Sequence, residues 1–204
     1  MSVVGYRARN HPQQVAVHGA DPDVDDRAIT AEDFAPLHKR FRFTVDAAAS
    51  HANARLERYW TADDDALMLP WTAERVWCNP PYSHPNLESW TAKAWDEQQA
   101  AEVIVMLVPA NRTEQQWWQR NIEPFRDGSA GLRTEFLPGR IRFLRNGQRA
   151  IGPNERPPFG CCLLIWEHGN GSPDGDPVPD LSRLARPVRQ PSLFDLEPPR
   201  PDAA

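Results

Sequence analysis

The chain has 204 residues, 40% hydrophobic and 25% charged, with a net charge of −5. That length suits one α/β domain with a full core plus tails, and the acidic balance excludes a protein that holds nucleic acid by bulk charge alone. Three cysteines without metal-ligand spacing exclude a zinc site and read as small core residues in a reducing cytoplasm. No apolar run is long enough to span a bilayer, and the first residues lack the apolar stretch of a signal peptide, so a soluble, non-exported, cytoplasmic protein is expected.

Residues 1–28 are polar and mixed, with Asp21-Pro22-Asp23 and Asp25-Asp26, and read as a disordered leader. Thr30 before Ala31-Glu32-Asp33 is a helix N-terminus signal that predicts a helix to about residue 40. Residues 42–46 read as a strand ending in an acid, and 53–58 as a short helix. Residues 75–78 are a short apolar strand that leads into Asn79-Pro80-Pro81-Tyr82. Pro85 suits the first position of a helix running to about residue 98. Residues 103–108 read as a buried, parallel-type strand, and Thr113 as the cap of a helix to about residue 122. Later strands are expected at 131–136, 140–144 and 160–166, the last placing Cys161 and Cys162 on opposite faces. Trp90 and Trp95, five apart, do not share a helix face well, and Trp117-Trp118 should bury at least one ring. Residues 29–168 thus form an α/β sheet with antiparallel edge strands. Residues 169–204 are rich in Pro, Asp and Arg and read as a disordered tail.

The chemistry concentrates at the turn after the 75–78 strand, the place where open α/β sheets bind ligands. Pro80 and Pro81 fix φ and remove two N–H donors. The groups left to face a ligand are acceptors, the Asn79 side-chain oxygen and the Pro80 carbonyl, beside the aromatic face of Tyr82. A rigid acceptor pair next to a stacking platform suits a planar group carrying an NH2, such as the exocyclic amine of adenine. Two acceptors on its N–H bonds favour a more tetrahedral nitrogen and stabilise the positive charge that develops during attack. A methyl group on S-adenosylmethionine is the natural electrophile.

The surrounding residues form an ordered set: Phe43-Thr44-Val45-Asp46-Ala47-Ala48-Ala49-Ser50, Arg58-Tyr59-Trp60-Thr61, Asp64-Asp65-Ala66-Leu67, the Asn79–Tyr82 turn, Leu107-Val108-Pro109-Ala110-Asn111-Arg112-Thr113, Trp117-Trp118 and Gly139-Arg140-Ile141-Arg142-Phe143. Over about residues 30–166 this set resembles the phage-type DNA N-6-adenine methyltransferase (Dam-like) family. The resemblance implies a class I S-adenosylmethionine-dependent methyltransferase-like (Rossmann-like) sheet in a phage- or prophage-encoded protein, with DNA as the partner. It implies that Asn79, Pro80, Pro81 and Tyr82 form the catalytic turn. It also makes Asp46, Ala48 and Asp65 the candidate cofactor contacts. Asp46 would face the methionine ammonium and Asp65 the cofactor adenine, with Asp64 an equal rival. The usual glycine-rich turn is replaced by Ala47-Ala48-Ala49-Ser50. Only about thirty residues separate Asp46 from Asn79, so either the sheet is abbreviated or Asp46 is not the first cofactor motif.

Two further features stand apart from the turn. Arg133, Arg140, Arg142, Arg145 and Arg149 form a basic stripe opposed only by Glu135, suited either to DNA phosphates or to a charged hairpin edge. Gln190-Pro191-Ser192-Leu193-Phe194 resembles the short peptide by which bacterial replication proteins dock on the sliding clamp, with Gln190, Leu193 and Phe194 as contacts. Other readings of the turn are a methyltransferase of RNA bases or protein glutamine, and a DNA-associated protein without catalysis.

Overall fold

The structure is a computed structural model that describes residues 25, 27–83, 86–126, 128, 130–145, 157 and 159–167. Along the chain run β1 (Arg27–Ile29), α1 (Ala31–Phe41), β2 (Val45–Asp46), β3 (Arg75–Cys78), α2 (Asn86–Glu97), β4 (Val103–Pro109), α3 (Gln116–Asn121), a 3-10 turn (Glu123–Phe125), β5 (Leu132–Phe136), β6 (Phe143–Arg145) and β7 (Cys161–Glu167). The main sheet has five strands in the order β2-β3-β4-β7-β5. The first three are parallel; β7 is antiparallel to both β4 and β5. The reversed strand therefore lies inside the sheet, not at its edge as the sequence pattern suggested. β1 and β6 pair antiparallel in a separate ribbon, Ala28 opposite Leu144.

Strand periodicity divides the core. β4 is buried throughout, and its side chains alternate between two clusters. Ile104, Met106 and Val108 join Val76, Cys78, Trp90, Trp117, Trp118 and Leu164 on the face covered by α2 and α3. Val103, Val105 and Leu107 join Phe34, Leu37, Phe41, Phe43, Trp77 and Phe143 on the face covered by α1 and the β1–β6 ribbon. Cys162 packs in the first cluster and Cys161 in the second, as period-2 alternation requires. Three layers result, with the sheet in the middle.

Local chemistry sets the element ends. Thr30 Oγ1 accepts the Asp33 N–H at 3.1 Å and caps α1. Arg42 closes the same helix in a left-handed conformation (φ 51°), donating its N–H to the His38 carbonyl. Residues 53–58 form turns and bends where a short helix was expected. There the Asn53 side chain takes the Ser50 N–H and Asp46 takes the Arg55 N–H, bonds that compete with a helical ladder. Thr113 does not cap α3. Its carbonyl accepts the Gln119 side chain at 2.7 Å, and the helix starts at Gln116 behind Gln115. Trp90 and Trp95 contact one and the same core cluster despite their spacing, and both rings of Trp117-Trp118 are buried.

Asp25 and β1 belong to the folded body although they fall within the disordered leader expected over 1–28; residues 1–24 and 26 and the tail expected over 169–204 lie outside the described residues. Among the described residues, the sheet continues beyond β2 only as a single bridge between Asp46 and Tyr59. Among the described residues, no helix is long and apolar enough to cross a membrane.

Candidate active site

β3 delivers Asn79 to the carboxyl end of the sheet, beside the carboxyl end of β2. The turn that follows cannot brace itself, because two prolines supply no N–H. Neighbouring segments hold it. The Asn79 NH2 donates to the Arg27 carbonyl at 2.6 Å, and Asn79 Oδ1 accepts the Tyr82 hydroxyl at 3.1 Å. Asp25 Oδ1 accepts the backbone N–H groups of Tyr82 and Ser83, each at 3.0 Å. The Ser83 hydroxyl donates to the other Asp25 oxygen, and Arg112, just past β4, donates to the Tyr82 carbonyl. The Tyr82 ring meets Phe143 and Phe159 edge-on, with centroids 6.1 and 6.2 Å away. Burial of the phenol pushes its pKa far above the ordinary tyrosine value.

A cavity of about 390 Å³ opens beside the turn. It is lined by Asn79 and Pro81, by Ala47-Ala48-Ala49-Ser50, and by Trp60, Asp65 and Trp90 among others. Its size is within the usual range of small-ligand pockets. The alanines leave the room that larger side chains would fill. Asp65 has a left-handed φ of 50° within the 61–67 loop that borders the cavity. Asp64 instead folds back on its own loop and accepts the Thr61 N–H and hydroxyl, each at 2.8 Å. The two rivals are thus placed differently: Asp65 borders the cavity and Asp64 stabilises a turn.

Asp46 sits at the strand end beneath Ala47 and is only 3% exposed. Its Oδ2 accepts the Arg55 N–H at 3.0 Å, while Oδ1 has no hydrogen-bond partner among the described residues. Burial dominates its titration and pushes the carboxyl up to about 6, against the opposing pull of the backbone N–H. A buried, half-satisfied carboxylate next in sequence to the cavity-lining Ala47 is costly for folding alone and suits a cationic ligand group.

The basic stripe does not form one hairpin. β5 pairs with β7, and β6 pairs with β1. Arg133 bridges Glu135 and Glu167, and Glu135 also takes a bidentate pair from Arg40 at 2.7 Å. Arg140 and Arg142 are exposed. The Arg145 side chain, Arg149 and the Gln190, Leu193, Phe194 peptide lie outside the described residues.

Sequence reasoning missed the supports of the turn. Arg112 carried a usable signal, a lone basic residue at the carboxyl end of β4, next to the turn in a parallel sheet. Asp25 and the Arg27 carbonyl carried none, since an acid in an acid-rich leader and a main-chain oxygen have no motif. Trp60 and Trp90, read as packing residues, also line the cavity.

A family profile described as DNA N-6-adenine-methyltransferase (Dam) matches residues 20–173, which take in every strand and helix and the whole cavity. A protein of Escherichia phage T1 named DNA N-6-adenine-methyltransferase is 29% identical over 129 residues, 56% of this chain and 52% of the relative, so the chain spans about half the length of that curated relative. With most of its length matched and Asn79 and Pro81 of the Asn-Pro-Pro-Tyr turn lining a ligand-sized cavity, the chain belongs to the DNA N-6-adenine-methyltransferase (Dam) family.

Proposed function

We propose that the chain transfers a methyl group from S-adenosylmethionine to the exocyclic N6 of adenine in DNA. The observation that carries this reading is one cavity lined by the alanine segment after β2, by Asp65, and by Asn79 and Pro81 of the turn. The residues fit the cofactor. Ala48 and its neighbours give a close backbone approach, Asp46 offers an unpaired carboxylate oxygen to an ammonium, and Asp65 offers an acceptor to an adenine amine. The bound cofactor supplies an electrophilic methyl group. Asn79 Oδ1 and the Pro80 carbonyl accept the two N–H bonds of the target amine and stabilise the charge that develops on nitrogen. Pro81 keeps the turn rigid, and the Tyr82 ring stacks on the extruded base. The sheet is an abbreviated class I methyltransferase sheet; support comes from its parallel half, the reversed β7, and the single bridge that stands where more strands would extend it.

For DNA phosphates, exposed Arg140 and Arg142 are the better placed of the arginines, since Arg133 is shared between two carboxylates and the Arg145 side chain is not described. For the tail, docking of Gln190, Leu193 and Phe194 on a bacterial sliding clamp is a separate proposal. A labelled 186–197 peptide should bind clamp with micromolar affinity, about −8 kcal/mol, and lose it when Leu193 and Phe194 become Ala.

The deciding experiment is incubation with labelled S-adenosylmethionine and DNA, RNA or protein polymers, followed by nucleoside and amino-acid analysis. N6-methyladenine in DNA is expected, and Asn79→Ala should slow its formation on the order of 100-fold or more. Label confined to RNA or glutamine, or no label at all, overturns the assignment.

A further inference from the structure

The Asn79 side chain has two ends, and the cavity needs one of them. An amide presents an oxygen acceptor on one side and an NH2 donor on the other. A target amine must meet the oxygen. The Arg27 carbonyl lies 2.6 Å from one end of the amide and can only accept. The end facing it is therefore the NH2, and the oxygen is left on the side of the Tyr82 hydroxyl, in a residue that lines the cavity. The reverse orientation would set two acceptors 2.6 Å apart with no hydrogen between them. So the group that selects the useful orientation is the main-chain carbonyl of the first residue of β1, remote in sequence from the turn.

The start of β1 is itself fastened. The Asp25 carboxylate takes the backbone N–H groups of Tyr82 and Ser83 and the Ser83 hydroxyl, three donors from the turn. The Asp25 carbonyl takes the Arg27 N–H at 3.0 Å, which ties the two residues to each other. β1 then runs on to pair with β6, whose Phe143 touches the Tyr82 ring. The turn is held on one side by Asp25 and on the other by Arg112 at the Tyr82 carbonyl.

We propose that Asp25 and Arg27 are working parts of the catalytic centre: the Arg27 carbonyl dictates that position 79 present its oxygen to the substrate, and Asp25 is the positioning residue that holds the start of β1 against the turn. The proposal rests on the methyl-transfer reading above, and it has a consequence independent of catalysis. A carboxylate at position 79 has no donor to offer the Arg27 carbonyl unless it is protonated. Its other charged and titratable neighbours are Asp25, Asp65 in the lining of the same cavity, the Tyr82 hydroxyl within the turn, and Arg112 at the Tyr82 carbonyl. The acids act in the same sense as the Arg27 carbonyl; Arg112 opposes them.

The test is the pair Asn79→Asp and Asp25→Ala, read by thermal unfolding across pH and by methyl transfer. In Asn79→Asp the introduced carboxyl has a folded pKa above its unfolded value near ~3.9. Its stability relative to the unmutated protein is greatest below that value and falls as pH rises through the folded pKa. The Tm gap between the two proteins should widen by several degrees between about pH 4 and 8, and the gap should persist when Asp25→Asn removes one neighbouring charge. Methyl transfer by Asn79→Asp should survive only at the acid end. Asp25→Ala should lower kcat more than tenfold, whereas Asp25→Asn, which keeps an acceptor oxygen for the two N–H groups, should restore most of it. A Tm gap independent of pH overturns the role of the Arg27 carbonyl. Asp25→Ala with unchanged kcat, or Asp25→Asn as damaged as Asp25→Ala, overturns the role of Asp25. Absence of methyl transfer by the unmutated protein overturns the functional reading instead and leaves the Tm test standing.

Discussion

Tyr82 carries two groups with different tasks. Its ring is wedged edge-on between Phe143 and Phe159, and its hydroxyl occupies the Asn79 oxygen that a substrate amine must reach. Tyr82→Phe removes the competing hydroxyl and keeps the ring, so activity should be largely retained. Tyr82→Ala should weaken base binding by about 1–3 kcal/mol. Equal behaviour of the two variants in steady-state kinetics would exclude stacking. Asp46 gives a pH signature. Its carboxyl is raised to about 6 by burial, and an ammonium bound beside it favours the ionised form. S-adenosylmethionine affinity, measured by calorimetry, should therefore rise as pH increases through about 6, and Asp46→Asn should flatten that rise. A profile unchanged by the substitution would remove Asp46 from the cofactor site. The acceptor character of the Asn79–Tyr82 turn was legible at this scale because two prolines after an asparagine leave so few chemical choices. Asp65 and Asp64 were not separable, because a left-handed backbone and a self-capped loop are set by folding of residues 61–69 rather than by residue type.

Helix α1 is the element whose start was most legible, and the reason can be tested. Thr30 and Asp33 exchange hydrogen bonds, the Thr30 hydroxyl donating to Asp33 Oδ2 at 2.9 Å and its oxygen accepting the Asp33 N–H. Thr30→Ala leaves that N–H without its cap and should cost about 1 kcal/mol by denaturant titration. A cost near zero would mean that packing of Phe34, Leu37 and Phe41 alone fixes the helix. Strands β3, β4 and β7 were legible as apolar runs because both of their faces are covered. The β1–β6 ribbon was not. Its strands are three residues each and lie at opposite ends of the domain sequence, so no local pattern announces the pairing. The turns at 53–58 were misread for a related reason: Asp46, distant enough to be left out of a helix window, takes the Arg55 N–H.

For the whole molecule, charge is the weakest guide. The chain is acidic overall, so DNA contact must be local. Arg140→Ala and Arg142→Ala should each flatten the salt dependence of DNA binding by roughly one counterion while leaving sequence preference intact. An unchanged slope in both variants returns these arginines to a solvated edge. The sequence stripe misled because consecutive arginines were assigned to one hairpin, whereas β5 and β6 belong to different sheets, and Arg133 is spent on internal ion pairs.

The split of the core by strand alternation also determines how the protein meets an oxidant or alkylating reagent. Cys78, Cys161 and Cys162 are at most 1% exposed, and they lie on both faces of the sheet. Burial pushes Cys161 and Cys162 up to about 12 and Cys78 well above its ordinary value. Since the thiolate is the reacting species, modification must wait until β3 or β7 leaves the sheet. The thiols therefore act as a clock for opening of the central strands. Saturation with S-adenosylmethionine should slow Ellman's-reagent labelling by a factor of roughly 1 + [L]/Kd, because a ligand held between β2 and β3 stabilises the closed sheet. Labelling at an unaltered rate would place the bound cofactor away from the strands that carry these sulfurs.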